Sequence, residues 1–124
     1  MACTTKVPRL QTAELLARII GWDDVPVITT DIVSLSYTAF ILEEATGEEN
    51  IVDGYEDVAL TPVADYVEPS LLKNTKWTED AVGYNFHFIP AADIFAERGQ
   101  LYGIRVTFET TDEPLVSVFL MEVV

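Results

Sequence analysis

Residues 99–124 read Gly-Gln-Leu-Tyr-Gly-Ile-Arg-Val-Thr-Phe-Glu-Thr-Thr-Asp-Glu-Pro-Leu-Val-Ser-Val-Phe-Leu-Met-Glu-Val-Val. Tyr102, Ile104, Val106 and Phe108 alternate with Gly103, Arg105, Thr107 and Glu109. That period of two belongs to a strand with one buried face. Thr110 to Pro114 is polar and carries turn chemistry, and Leu115 to Val124 is apolar again. The two runs predict a β-hairpin that closes the fold. Its second strand is unusual. Leu115, Phe119, Met121 and Val123 fall on one face, and Val116, Val118, Leu120 and Val124 on the other. A terminal strand of a sandwich normally turns one polar face to water. Apolar residues on both faces call for a cover, from the chain's own N-terminal arm or from another subunit.

Working back from the hairpin, Gly83 to Pro90 predicts a strand with Tyr84, Phe86 and Phe88 pointing one way. Ile32 to Leu42 predicts the strongest early strand. Val33, Leu35, Tyr37, Ala39 and Ile41 share a face, and Ser34, Ser36 and Thr38 the other, until Phe40 and Leu42 break the polar side. Shorter extended runs are expected at 25–29, where Pro26 marks an edge or a strand start, at 57–61, and at 63–67. Ser70 to Asn74 reads as one helical turn capped by Ser70. Residues 10–20 fit either an amphipathic helix or a first strand, and the β-rich remainder favours the strand. Gly21 to Asp24 is a turn and Glu43 to Asn50 a charged loop. Ala91 to Arg98 is a connection with Phe95 tucked beneath it. About seven short strands with turn signals between them predict an all-β fold, an antiparallel β-sandwich. Residues 1–9 read as an N-terminal arm and 10–124 as a single domain.

The composition fits that object. The 124 residues are 49% hydrophobic, ample for a core. No apolar run approaches the roughly 20 residues of a membrane span, and the first residues lack the apolar centre of a signal peptide. Cys3 is the only cysteine, so no disulfide forms within the chain, in keeping with a reducing cytoplasm. The formal net charge is −14. A field of that sign repels phosphate backbones, which argues against nucleic acid as a partner.

Catalytic and ligand signatures are weak. His87 is the only histidine, with no cysteine or second histidine near it to complete a transition-metal site. Glu43, Glu44, Glu48, Glu49, Asp53, Glu56 and Asp57 are acidic but lack the spacing of a calcium loop, so they read as a solvated surface. There is no G-x-S-x-G, no P-loop and no G-x-G-x-x-G. No enzyme activity, cofactor or small-molecule substrate is expected. Trp22 and Trp77 sit beside acids and could stack on sugar rings, although large aromatics more often plug the ends of a sandwich.

Two motifs carry a family resemblance. Gly99-Gln100-Leu101-Tyr102, followed by Ile104 and Val106, resembles the entry to the penultimate strand of immunoglobulin-like domains, with one extra residue between Gly and Tyr. The resemblance implies a tyrosine corner, with the Tyr102 hydroxyl bonded back to the preceding turn and Phe95 in the loop it pins. The cysteines of antibody domains are absent. Trp77 to Phe86, with Asp31 to Tyr37 and the final hairpin, resembles small β-sandwich proteins encoded among bacteriophage virion genes. That resemblance implies a non-enzymatic structural subunit of a head, neck or tail. Its partners would be further copies and other virion proteins, assembled in the bacterial cytoplasm, through Val116, Val118, Leu120 and Val124. The alternative is a carbohydrate- or host-surface-binding module using Trp22 or Trp77.

Overall fold

The computed structural model describes residues 4–12, 14–21, 25, 27, 31–72, 83–110 and 114–124. Among these the chain is all-β. Its strands are β1 (Thr4–Val7), β2 (Leu15–Ala17), β3 (Ile32–Glu43), β4 (Glu48–Ile51), β5 (Val58–Ala59), β6 (Val67–Leu72), β7 (Tyr84–Phe88), β8 (Leu101–Thr110) and β9 (Leu115–Val123). One sheet has the order β1-β9-β8-β3-β4, with β5 also on β3, and the second is β2-β7-β6. All pairings are antiparallel except β1 on β9, which is parallel.

The two layers enclose one core. Tyr102, Ile104, Val106 and Phe108 of β8, Leu35, Tyr37 and Ala39 of β3, and Phe86 and Phe88 of β7 are all buried in it. Phe86 meets Phe108 edge-on at 5.1 Å and stacks on Phe119 at 6.0 Å. These are the separations at which aromatic pairs add to simple burial. Phe95 closes one end, edge-on to Tyr102 at 5.5 Å.

Several local expectations are corrected. Val33 does not share the face of Leu35. The register of β3 on β8 shifts between Ile32 and Ser34, which turns Ile32 inward and leaves Val33 67% exposed. Thr4 to Val7 of the expected arm is a strand of the larger sheet, and Val7 is buried. Glu48 to Ile51 is a ladder strand on β3 rather than part of a loop. Val63 to Asp65 forms a 3-10 turn. β6 then runs through Pro69 and Ser70, where a break and a helical turn were expected. It is the outer strand of its sheet and its register with β7 shifts between Val67 and Leu72, so the missing proline N–H costs no ladder bond. Residues 22–24 of the turn expected at 21–24 and most of the run at 25–29 lie outside the described residues, while the Gly21 N–H bonds the Val25 carbonyl at 2.9 Å.

Asn85 was not singled out by its sequence. It is 1% exposed on β7. Its amide accepts from the Ile19 N–H at 2.7 Å and donates to the carbonyls of Ile19 at 2.9 Å and Val27 at 2.7 Å. The side chain thus stands in for a strand, tying the segment after β2 to the smaller sheet.

At the edge of the core the Tyr55 hydroxyl donates to Asp93 Oδ1 at 2.8 Å, and Tyr37 packs on Phe88 at 4.9 Å. Burial raises the Tyr37 pKa above its ordinary 10.0, and the hydrogen bond to Asp93 raises that of Tyr55. Both groups hold their protons more tightly folded than unfolded. The stability they contribute is therefore intact below pH about 10 and lost as pH climbs through the raised values. Melting curves should fall steeply above pH about 10, and less so in Tyr37→Phe. Equal slopes in the two proteins would show that Tyr37 ionises freely while folded.

Candidate assembly surface

In β9 the odd-numbered residues face the core, where Met121 and Val123 are buried. The even-numbered residues face outward, over β8. Leu120 lies opposite Gly103, Val118 opposite Arg105, and Val116 opposite Thr107. Gly103 is required here. A Cβ would lie 2.2 Å from Phe40 Cζ, because the Phe40 ring crosses the space above it. Arg105 sits 4.8 Å above that ring and is ion-paired with Glu49. Phe40, expected to break a polar face, is therefore 2% exposed although it is on the outer side of the sheet.

That lid ends at β8. Over β9 the surface stays apolar and open, with Val116 57%, Val118 36% and Val124 53% exposed, and Leu120 half-buried. Among the described residues, the N-terminal segment does not lie across this face. It pairs with the edge of β9, Thr4 to Val7 against Leu120 to Val123. Its continuation is pinned nearby, with the Leu10 N–H on the Phe95 carbonyl at 2.7 Å and Arg9 Nε on the Ala96 carbonyl at 2.9 Å.

Along the rest of that edge, Leu115 to Phe119, β9 has no strand neighbour among the described residues. The direction of its main chain can be read from the far end. The Val123 N–H and C=O bond Gln100 and Gly99, on the β8 side, and the Val124 N–H bonds Val7, on the β1 side. Alternation carries this back along the strand, so Val116 and Val118 turn their N–H and C=O to the open edge. Beside that edge is a groove of about 450 Å³. It is lined by Arg18, Ile19, Ile20, Phe108, Pro114, Leu115, Val116 and Ser117.

The remaining candidates are placed as follows. The Tyr102 hydroxyl accepts the Glu97 N–H at 3.1 Å. Gly99 has φ of 81°, a conformation that glycine adopts without strain, and donates its N–H to Val123 O at 2.7 Å. Tyr102, Gly99 and Phe95 thus form one corner, which is bonded to both ends of the chain. His87 Nε2 is 2.9 Å from Glu68 Oε1 on the outer side of the smaller sheet. The acids from Glu43 to Asp57 are exposed, and no group of three or more metal-ligating side chains occurs among the described residues. Trp22, Trp77 and Cys3 lie outside the described residues. None of the described helices is long and apolar enough to cross a membrane.

The sequence pointed to the apolar outer face and to a closing edge strand that a neighbour could extend, but not to how much of that edge the chain itself uses. Two-faced apolar patterning signals the first, whereas the last depends on how far β1 reaches along β9. Comparison with protein families, with curated proteins and with solved structures found no match.

Proposed function

We propose that this protein is a non-enzymatic structural subunit that assembles laterally into a phage-like particle through β9. The observation that carries this reading is the exposed apolar strip of Val116, Val118 and Val124, which at Val116 and Val118 lies beside an edge with no strand neighbour among the described residues. Open apolar strips and free edges are the features that folded monomers avoid and assembling subunits use. The acidic loops keep such subunits soluble before assembly and would face water or a basic neighbouring protein. The phage-like setting rests on the sequence resemblance alone and places assembly in the bacterial cytoplasm.

We further infer an immunoglobulin-like sandwich. The order β9-β8-β3-β4 facing β2-β7-β6 corresponds to G-F-C-C′ facing B-E-D, and Tyr102 near the start of β8 bonds to the backbone just upstream.

Light scattering after size exclusion should show concentration-dependent oligomers. Val116→Glu should leave the melting temperature within about 2 °C, because the residue is exposed, and weaken self-association at least about tenfold by placing a charge in the contact. Unchanged oligomer size in Val116→Glu would overturn the assignment of this strip to assembly.

A further inference from the structure

We infer that two copies of the chain exchange β1: in the pair, Thr4 to Val7 of each chain lie on β9 of the other, and Leu10 is the hinge. This goes beyond the exposed strip of β9, because the surface used is the stretch from Leu120 to Val123 that β1 already occupies.

The observation behind it is the backbone of Leu10. The Gln11 N–H bonds the Pro8 carbonyl at 3.1 Å, which closes a four-residue turn with Arg9 and Leu10 at its centre. Leu10 has φ of 58°, in the left-handed region. A turn that needs positive φ at its third residue takes glycine or asparagine there, because a larger side chain crowds the following carbonyl. Packing offers little in return, since Leu10 is 44% exposed. The strain thus sits where the N-terminal strand joins the body of the domain. A short strained hinge beside a terminal element favours exchange of that element between copies.

Rotation at Leu10 divides the bonds cleanly. Its N–H lies on the strand side of the N–Cα bond and its carbonyl on the body side. Opening φ to an extended value therefore carries β1, Pro8, Arg9 and the Leu10 N–H away as one piece. On a second copy that piece remakes the ladder of Thr4 to Val7 on Leu120 to Val123. It also remakes the bond from the Val124 N–H to the Val7 carbonyl at 2.9 Å, from Arg9 Nε to the Ala96 carbonyl at 2.9 Å, and from the Leu10 N–H to the Phe95 carbonyl at 2.7 Å. Val7, 1% exposed, fills the same place in the core of the second copy. The turn bond from Gln11 to Pro8 is lost, and because Gln11 is exposed, water replaces it.

The position of β1 suits such an exchange. It is four residues long and ends the order β1-β9-β8-β3-β4, so it leaves without breaking any other pairing. Each copy gives and receives the same strand, as a closed twofold dimer requires. The pair keeps the contacts of the closed chain and relaxes two hinges.

Lys6 lies opposite Glu122 on this ladder. In a Cys3→Ser background, the double variant Lys6→Cys/Glu122→Cys places two thiols within disulfide reach. In the closed form the bond joins residues of one chain, and in the exchanged form residues of two. The dimer fraction from size exclusion, oxidised and run on a non-reducing gel, should contain at least about tenfold more covalent dimer than internally linked chain, and either single variant should link at least about tenfold less. Leu10→Asn supplies a residue that accepts positive φ. It relaxes the closed chain and should weaken dimerisation at least about tenfold, because each dimer forms at the expense of two hinges. Unchanged affinity in Leu10→Asn would overturn the hinge. Internally linked chains in the dimer fraction, or equal linking in a single variant, would overturn the exchange and leave the reading of the β9 strip standing. A monomer at every concentration would overturn both.

Discussion

Replacing Tyr102 with alanine is expected to cost about 3–5 kcal/mol, the range for removing a buried aromatic. In a chain of this size that lowers the melting temperature by about 10–20 °C. Tyr102 is almost fully buried, packs edge-on against Phe95 at 5.5 Å, and its hydroxyl holds the Glu97 N–H at 3.1 Å. The same turn carries the bonds from Leu10 and from Gly99 that fix the N- and C-terminal strands. Losing the ring therefore loosens β1 and the end of β9 together. Tyr102→Phe separates the contributions. It keeps the packing and releases only one hydrogen bond to an exposed turn, so a cost of about 1 kcal/mol is expected. Thermal melts followed by circular dichroism distinguish the two variants. A Tyr102→Ala protein melting within about 3 °C of the parent would show that the corner does not support the closing hairpin.

Asn85→Ala should be the next most damaging change, at about 3 kcal/mol. The substitution adds no bulk and removes little apolar surface. Its effect comes from the groups left behind: the N–H and C=O of Ile19 and the C=O of Val27, all bonded to this one amide. A buried polar group left without a partner costs about 1–3 kcal/mol, and local relaxation that admits water recovers part of the sum. Asn85→Asp should be no better, since a carboxylate cannot donate to the two carbonyls and would be buried with its charge. The loss should appear first in hydrogen exchange at Ile19, whose amide proton Asn85 holds. Because Ile19 and Ile20 line the groove beside β9, the same variant should also weaken self-association. Unchanged exchange at Ile19 would mean that the segment is held by other contacts.

How far the sequence could be read depended on the range of the interactions involved. The alternation through β8 and β9 reports directly which side chains face the core, because a pleated strand sends neighbours to opposite sides whatever surrounds it. The same reasoning failed at Val33, where one extra residue in the ladder reversed the two faces. It failed again at Phe40, whose outward position is made apolar by Gly103 and Arg105 from the next strand. Pro69 misled in a comparable way. A proline reads as a break, yet on an outermost strand its missing N–H leaves no ladder bond unmade.

The sequence by itself determined the class of object: short strands of period two, a core rich in aromatics, an acidic surface, and a last strand apolar on both sides. Each follows from the order of residue types along a few neighbours. Only the tertiary structure decided that Thr4 to Val7 lie parallel on β9 from Leu120 to Val123, that Asn85 knots two loops to a sheet, and that Val116 and Val118 turn their main chain away from β8. Those outcomes join residues far apart in the chain, and hydrogen-bond partners between distant segments are chosen by packing rather than by local pattern.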